Sequence, residues 1–145
     1  MGKQELTTGQ IEEIVREWYE ALDRHDAVEQ VTPFLAEDGL VMVFPEATLR
    51  GSADFHDWYA AVTNRFFDEV HEVKSVEVRT NADGRADIQV VVNWQARVWS
   101  PPAARSEWLG FDATQTWTVV LRDGEPKISE YIVEDLAPMP GSAAL

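Results

Sequence analysis

Apolar residues Ile11, Ile14, Val15, Trp18 and Leu22 recur three and four positions apart, with Glu12, Glu13, Arg16, Glu17 and Glu20 between them. One dry face and one wet face predict an amphipathic helix. Thr7 followed by Gln10 forms a capping-box pattern at its start, and the helix is expected to end near His25. Asp26 with Glu29 offers a second capping signal before a short apolar stripe of Val28, Val31, Phe34 and Leu35. Pro33 has no amide hydrogen and clashes inside a helix, so it is expected to open a new turn with Thr32 as its cap. Glu37-Asp38-Gly39 closes this segment, Leu40 to Phe44 reads as a short strand, and Pro45 to Gly51 as a turn with room for a stub of strand. A third helix follows, capped by Ser52, with Phe55, Tyr59, Val62 and Phe66 along its inner face.

From Glu69 onward the period changes from helical to two. Segments 69–80, 85–99, 106–122 and 126–136 read as strands. Asn81-Ala82-Asp83-Gly84 and Asp123-Gly124 are hairpin signals, because these residues tolerate the positive φ that tight turns require. Ser100-Pro101-Pro102 marks a wider loop. Strands of about 15 residues exceed the usual range of about 3–10, so the sheet is expected to bulge and curl around the helices, leaving a cone-shaped hollow. Helices first and long antiparallel strands afterwards predict an α+β fold, three N-terminal helices packed on a strongly curved, mainly antiparallel sheet.

Alternation assigns the faces. Ile88, Val90, Val92, Trp94, Ala96 and Val98 form one inner set; Leu109, Phe111, Ala113, Gln115, Trp117, Val119 and Leu121 form the next. Gln115 is the one amide among them and needs a neighbour, a water or a ligand. The outer set Gln89, Asn93, Gln95, Arg97 and Trp99 is polar but not charged throughout, which suits a subunit contact and predicts a homodimer through the outer sheet face. His71 shares a face with Val73, whereas Val76 and Val78 have the opposite parity; a bulge near Lys74-Ser75 reconciles them and turns His71 inward.

Composition narrows the partners. The 145 residues make one domain of ordinary size, and the net charge of -14, from 26 acidic against 12 basic side chains, repels phosphate backbones, so nucleic acid is excluded as a partner. No cysteine is present, which removes thiolate and disulfide chemistry. No apolar run has the length of a membrane span or a signal-peptide pattern, and the reading is a cytoplasmic protein without membrane contact. Asp68, Glu69, His71 and Glu72 cluster in sequence, but alternation throws them to different faces, so no metal is expected. Glycine-rich phosphate loops and a Gly-x-Ser-x-Gly nucleophile elbow are absent. The six tryptophans, six phenylalanines and three tyrosines fill a core or wall a pocket for a hydrophobic small molecule.

The strings Trp18-Tyr19-Glu20-Ala21-Leu22-Asp23, then Asp26, then Phe34-Leu35-Ala36-Glu37-Asp38-Gly39, with Gly51 opening the third helix and Lys127-Ile128 opening the last strand, resemble the nuclear-transport-factor-2-like superfamily. The nearest subgroup is that of the SnoaL-like, ketosteroid-isomerase-like proteins. The resemblance covers residues 8–137 as a single domain, leaving 1–7 and 138–145 as flexible termini. It implies a cone-shaped α+β fold, commonly dimeric, with a pocket between sheet and helices; members include isomerases, dehydratases, cyclases and non-catalytic binders. The steroid isomerase pattern itself is not met. Its general-base aspartate falls where this chain has Phe44, and its first-helix tyrosine falls at Trp18.

The dehydratase branch resembles this chain better. It carries an aspartate at the end of the first helix and a histidine at the start of the third strand, and Asp23 and His71 occupy those places. The resemblance implies a catalytic pair: His71 as general base, with Asp23 holding the imidazole in one tautomer and stabilising its cation. Asp23 read without it is a hydrogen-bonding residue at a helix end. Trp18, Tyr59, Trp94, Gln115, Trp117 and Tyr131 are the candidate substrate-binding residues, with the two tyrosines as proton donors. The function expected is a cofactor-independent lyase, isomerase or cyclase acting on a hydrophobic small molecule. The alternative is a non-catalytic binding or dimerisation module of the same fold.

Overall fold

The structure, a computed structural model, describes residues 5–145. Helix α1 runs Thr8–Asp23, and its capping box is closed in both directions. The Gln10 N–H donates to Thr7 Oγ1 at 3.0 Å, and the Thr7 N–H donates to Gln10 Oε1 at 2.9 Å. Ile11, Ile14, Val15, Trp18, Tyr19 and Ala21 are its buried residues. The helix ends in a Schellman turn: the Asp26 N–H reaches the Ala21 carbonyl at 3.1 Å and the His25 N–H reaches Leu22 at 3.0 Å. His25 holds the left-handed position of that turn, at φ 53°.

Three capping expectations are corrected. Helix α2 is a single turn, Val28–Val31, with no side-chain cap; the Asp26 carboxylate instead pairs with the Arg24 guanidinium at 2.8 Å. A 3-10 turn, Thr32–Phe34, follows around Pro33, with Val31 at the cap position and Thr32 inside the turn, so Thr32 does not cap it. After strands β1 (Val41–Val43) and β2 (Thr48–Arg50), helix α3 covers Gly51–Arg65 and starts before Ser52. Asp54 Oδ2 accepts the Arg50 N–H at 2.9 Å there, so a carboxylate one turn inside the helix satisfies the entry and Ser52 does not act as the cap.

Strands β3 (Phe66–Ala82), β4 (Arg85–Val98), β5 (Glu107–Arg122) and β6 (Glu125–Pro138) complete a six-stranded sheet in the order β2-β1-β6-β5-β4-β3. All neighbours are antiparallel except β1 with β6. The sheet is curved and unclosed, so the molecule is an α+β fold with three helices laid in the concave side. Both hairpin signals form the turns expected of them: Asp83 and Gly84 have φ 56° and 72°, and Asp123 and Gly124 have φ 54° and 77°. No helix among the described residues is long and apolar enough to cross a membrane.

The core lies between α1, α3 and the inner faces of β4, β5 and β6, with Trp18, Trp117, Tyr19, Phe55, Ile88 and Val90 among its fully buried members. A second cluster of Phe66, Ala96, Val98, Leu109 and Phe111 fills the far end of the sheet. Beyond Pro138 the chain stays on β5: the Met139 N–H donates to Gly110 and the Ala143 N–H to Trp108, each at 2.9 Å. Met139 thereby covers Asn93 on the outer face, part of the surface expected to meet another subunit.

Strand β3 is where the fold makes its site. It begins at Phe66, three residues earlier than its periodicity suggests, and its register against β4 shifts three times. Phe67 faces Arg97 and Val70 faces Gln95, so Asp68 and Glu69 together oppose the single residue Ala96. Asp68 takes φ 52° to make that bulge. Val73 faces Val92 while Ser75 faces Val91, leaving Lys74 as the second extra residue, at the place the parity change predicts. Phe66 points inward; after the first bulge Glu69, His71 and Val73 do; after the second, Val76 and Val78 do. Without both bulges, one of these three sets would face water.

Deleting Lys74 therefore forces a choice between the window 69–73 and the valines beyond it. The expected loss is about 2–4 kcal/mol, the transfer free energy of two half-buried valines plus the broken pairing. Lys74→Ala keeps the bulge and should stay within about 0.5 kcal/mol of the parent. Urea denaturation of the two variants checks this, and equal midpoints would contradict it.

Candidate active site

Between the end of α1, the inner side of α3 and the concave sheet lies a cavity of about 130 Å³. Its wall is mostly apolar, including Leu22, Val62, Phe66, Val92, Trp94 and Leu136. Phe44 and Trp58 stack face to face at its edge, ring centroids 4.2 Å apart. No group of three acidic or imidazole side chains among the described residues is arranged to hold a metal ion.

His71 forms part of this wall, and Asp23 stands behind it. Asp23 Oδ1 is 2.5 Å from His71 Nδ1, and Asp23 Oδ2 accepts the His71 backbone N–H at 2.9 Å. One carboxylate thus grips both the ring and the main chain of the same residue. An ionised carboxylate only accepts, so Nδ1 carries the hydrogen and Nε2 is left with its lone pair. No described residue meets Nε2. The ring is held flat by Tyr19, stacked at 4.6 Å, with Trp94 beyond at 6.3 Å. The Asp23 carboxylate takes no part in closing α1, where the Schellman turn engages the Ala21 and Leu22 carbonyls.

A second histidine–carboxylate contact lies alongside. His25 Nε2 meets Glu69 Oε2, and the Trp94 indole N–H donates to Glu69 Oε1 at 3.0 Å. Glu69 lines the cavity, two residues from His71 on the same inward face. The i, i+2 spacing of Glu69 and His71 was the available sequence signal. His25 gives none, because its inward reach depends on a left-handed backbone turn.

The remaining candidates separate into wall and core. Tyr59, Trp94, Gln115 and Tyr131 line the cavity; Trp18 and Trp117 are fully buried behind it. Trp117 Nε1, which can only donate, lies 2.9 Å from Gln115 Oε1 and so fixes the orientation of the amide. Tyr19 must then donate to the same oxygen, at 2.7 Å. It follows that in the 3.1 Å contact between the Tyr19 and Tyr131 hydroxyls, Tyr131 is the donor. Tyr59 donates to the Asp26 carbonyl at 2.6 Å. Both candidate proton donors therefore already have their hydrogens engaged. Trp18 Nε1 is buried without a hydrogen-bond partner.

All three tyrosines of the chain titrate above the ordinary value near 10. Burial pushes Tyr59 up to about 12, helped by the negative charges of Asp26 and Glu69. Burial also raises Tyr19 well above its ordinary value, with Tyr131 adding to it, and raises Tyr131, where Tyr19, Trp18 and Gln115 offset part of the effect. The folded chain holds these protons after the unfolded chain has lost them. Their contribution is complete below pH ~10 and disappears as pH rises through the folded values. Tyrosinate absorbance should stay near zero up to pH ~11 and then rise together with unfolding; a smooth titration centred near pH 10 with the fold intact would contradict this burial.

The architecture matches known folds closely although the sequences have drifted. A scytalone dehydratase-like protein from Novosphingobium aromaticivorans DSM 12444 superposes with a TM-score of 0.73 at 16% identity, over 94% of each chain. The hexachlorocyclohexane dehydrochlorinase LinA-type3 from Novosphingobium barchaimii LL02 gives 0.74 at 15% identity, over 94% of this chain and 92% of the other. A dehydratase-like protein of the nuclear-transport-factor-2-like family from Streptomyces avermitilis gives 0.74 at 17%, over 90% and 95%. No curated protein matches the sequence. The family model of the SnoaL-like domain matches residues 15–131, from the middle of α1 into β6. By that match over most of its length, the chain belongs to the SnoaL-like domain family, within the nuclear-transport-factor-2-like superfamily.

Proposed function

We propose that this chain is a cofactor-independent lyase or isomerase acting on a hydrophobic small molecule, with His71 as general base and Asp23 as the residue that orients it. One observation carries the reading: Asp23 takes both hydrogens of His71 while the imidazole itself stands in the cavity wall. A neutral imidazole so held removes a proton from a carbon activated by a carbonyl or a neighbouring leaving group. The C–H pair becomes the new double bond, and the leaving group departs with its own bonding pair. In an isomerisation the imidazolium returns the proton to another carbon instead. Asp23 stabilises that imidazolium without being protonated itself. Gln115 is the wall amide suited to a carbonyl oxygen, since the hydroxyls of Tyr59 and Tyr131 are engaged elsewhere. Support also comes from the names of the similar structures: dehydration and dehydrochlorination are both eliminations.

A thermal-shift screen of hydroxylated aromatics, polyketide-like compounds and sterols should find ligands, and incubating these in deuterated water should show turnover or exchange at acidic C–H positions. His71→Gln should slow that chemistry by about 10²–10⁴-fold with the fold intact. Asp23→Asn should slow it by about 10²-fold or more, since the wrong tautomer is then favoured. Unchanged rates in His71→Gln would sink the base assignment. Ligands that bind with neither exchange nor turnover would favour the non-catalytic binding module.

We also propose a homodimer through the outer sheet face, in the region left open by Met139. Trp99 is half-exposed there, with Phe67 and Val70 beside it at the β3 edge. Sedimentation equilibrium should return twice the mass of 16.4 kDa; a monomer at micromolar concentration would remove the idea.

A further inference from the structure

The two histidine–carboxylate pairs of the cavity point in opposite directions. In one, the imidazole of His71 faces the interior and the carboxylate stands behind it. In the other, the Glu69 carboxylate faces the interior and the His25 imidazole stands behind. We propose that Glu69 is a ligand-anchoring group: it receives a hydroxyl or protonated amine on an otherwise apolar ligand, and with its surroundings turns away carboxylates and phosphates. His25 is its positioning residue. The inference rests on the cavity being the binding site proposed above, but not on His71 acting as a base.

Burying a carboxylate in an apolar wall is costly unless donors compensate it. The Glu69 side chain is 10% exposed, and each oxygen has one donor, from His25 and from Trp94. Each carboxylate oxygen can accept a further hydrogen bond. The local backbone is bent at both ends to make this arrangement. His25 occupies a left-handed position where glycine is the ordinary choice, and Asp68 adopts the same region to turn Glu69 inward. Two non-glycine residues in unfavourable backbone regions converge on a single contact, a pattern associated with binding sites. A clasp between α1 and β3 alone would not need its carboxylate in the cavity wall.

The rest of the wall has the same polarity. No lysine or arginine lines the cavity among the described residues, whereas Glu46 and Glu69 both do. Its donors are already engaged: Tyr59 with the Asp26 carbonyl, Thr63 with the Tyr59 carbonyl, Trp58 with Glu46, and Trp94 with Glu69. Tyr131 donates to Tyr19, leaving the Gln115 amide as the donor on that side. What the interior offers a ligand is chiefly acceptors: His71 Nε2, Glu69 and the tyrosine lone pairs. The complementary ligand is neutral or cationic and brings its own hydrogen.

Titration calorimetry at pH 7 with four ligands of matched shape tests this: p-ethyltoluene, p-ethylphenol, p-ethylbenzylamine and p-ethylbenzoate. The phenol and the amine should bind the wild-type protein about tenfold or more tighter than the benzoate, the scale of one charge-assisted hydrogen bond. Glu69→Gln should shrink the amine-to-benzoate ratio by about tenfold and leave p-ethyltoluene unchanged. His25→Gly suits the left-handed turn, which offsets part of the cost of removing a donor from Glu69, so the protein should still fold cooperatively with a modestly lowered melting temperature; it should weaken p-ethylphenol about threefold or more without changing p-ethyltoluene. Benzoate binding as tightly as the phenol, or ratios unmoved by Glu69→Gln, overturns the anchor while the cavity reading survives. Equal losses for p-ethyltoluene and p-ethylphenol in His25→Gly would reduce His25 to a structural clasp and overturn its positioning role. If p-ethyltoluene itself fails to bind the wild-type protein, the cavity reading falls and this inference falls with it.

Discussion

One carboxylate joins the helical half of the chain to the strand half. Asp23 is the last residue of α1, and His71 lies near the start of β3. Because Asp23 takes the ring N–H and the backbone N–H together, it fixes the imidazole's tautomer, its rotamer and the position of the strand that carries it. Each element must be right for the contact to form. The Schellman turn must stop α1 at that residue, and the two bulges must turn the odd-numbered window of β3 inward. The Tyr19 ring, on the buried face of α1, then stacks on the imidazole and donates its hydroxyl hydrogen bond to Gln115 Oε1. Core packing and site geometry are therefore one structure, with Tyr19 belonging to both.

Much of this was legible. Period-two alternation placed the inner residues of β4 and β5, the Asp-Gly turns closed both hairpins, and the parity conflict between His71 and Val76 located the bulge at Lys74. These signals work because burial on one face constrains every second residue. The Asp23–His71 pairing was legible only by resemblance, since nothing in spacing brings residues 48 positions apart together. Other features escaped for identifiable reasons. The bulge at Asp68 was hidden because Phe66 was assigned to the preceding helix, where its inward direction raised no conflict with His71. Asp26 looked like a helix cap, but Arg24 two residues earlier competes for its carboxylate with a bidentate guanidinium. His25 sits where a glycine would have announced a helix stop.

Residue type also misled about chemistry. A tyrosine in a pocket suggests an acid, yet a hydroxyl has one hydrogen, and here those of Tyr59 and Tyr131 are already donated to a carbonyl and to Tyr19. Trp117 decides much of this from outside the cavity. As an obligatory donor it orients the Gln115 amide, which compels Tyr19 to donate to that amide and Tyr131 to donate to Tyr19. The direction of every bond in the chain follows from one indole. Burial reinforces the result by raising the tyrosine hydroxyls well out of reach of neutral pH.

With the tyrosine hydrogens committed, the two imidazole–carboxylate pairs stand out among the polar groups of the cavity, and in the proposed function their opposite orientations divide the work between a base and an anchor. A carboxylate behind a neutral imidazole fixes its hydrogen on the far nitrogen and leaves the other lone pair facing the cavity, which is what the proposed base requires. An imidazole behind a carboxylate makes a buried negative charge tolerable without hiding it, which is what a hydrogen-bond anchor requires. The bulges of β3 place both groups on the same face two residues apart, so in the proposed function a ligand anchored by Glu69 would be presented to His71. That spacing, more than either pair alone, is what the irregular start of the strand accomplishes.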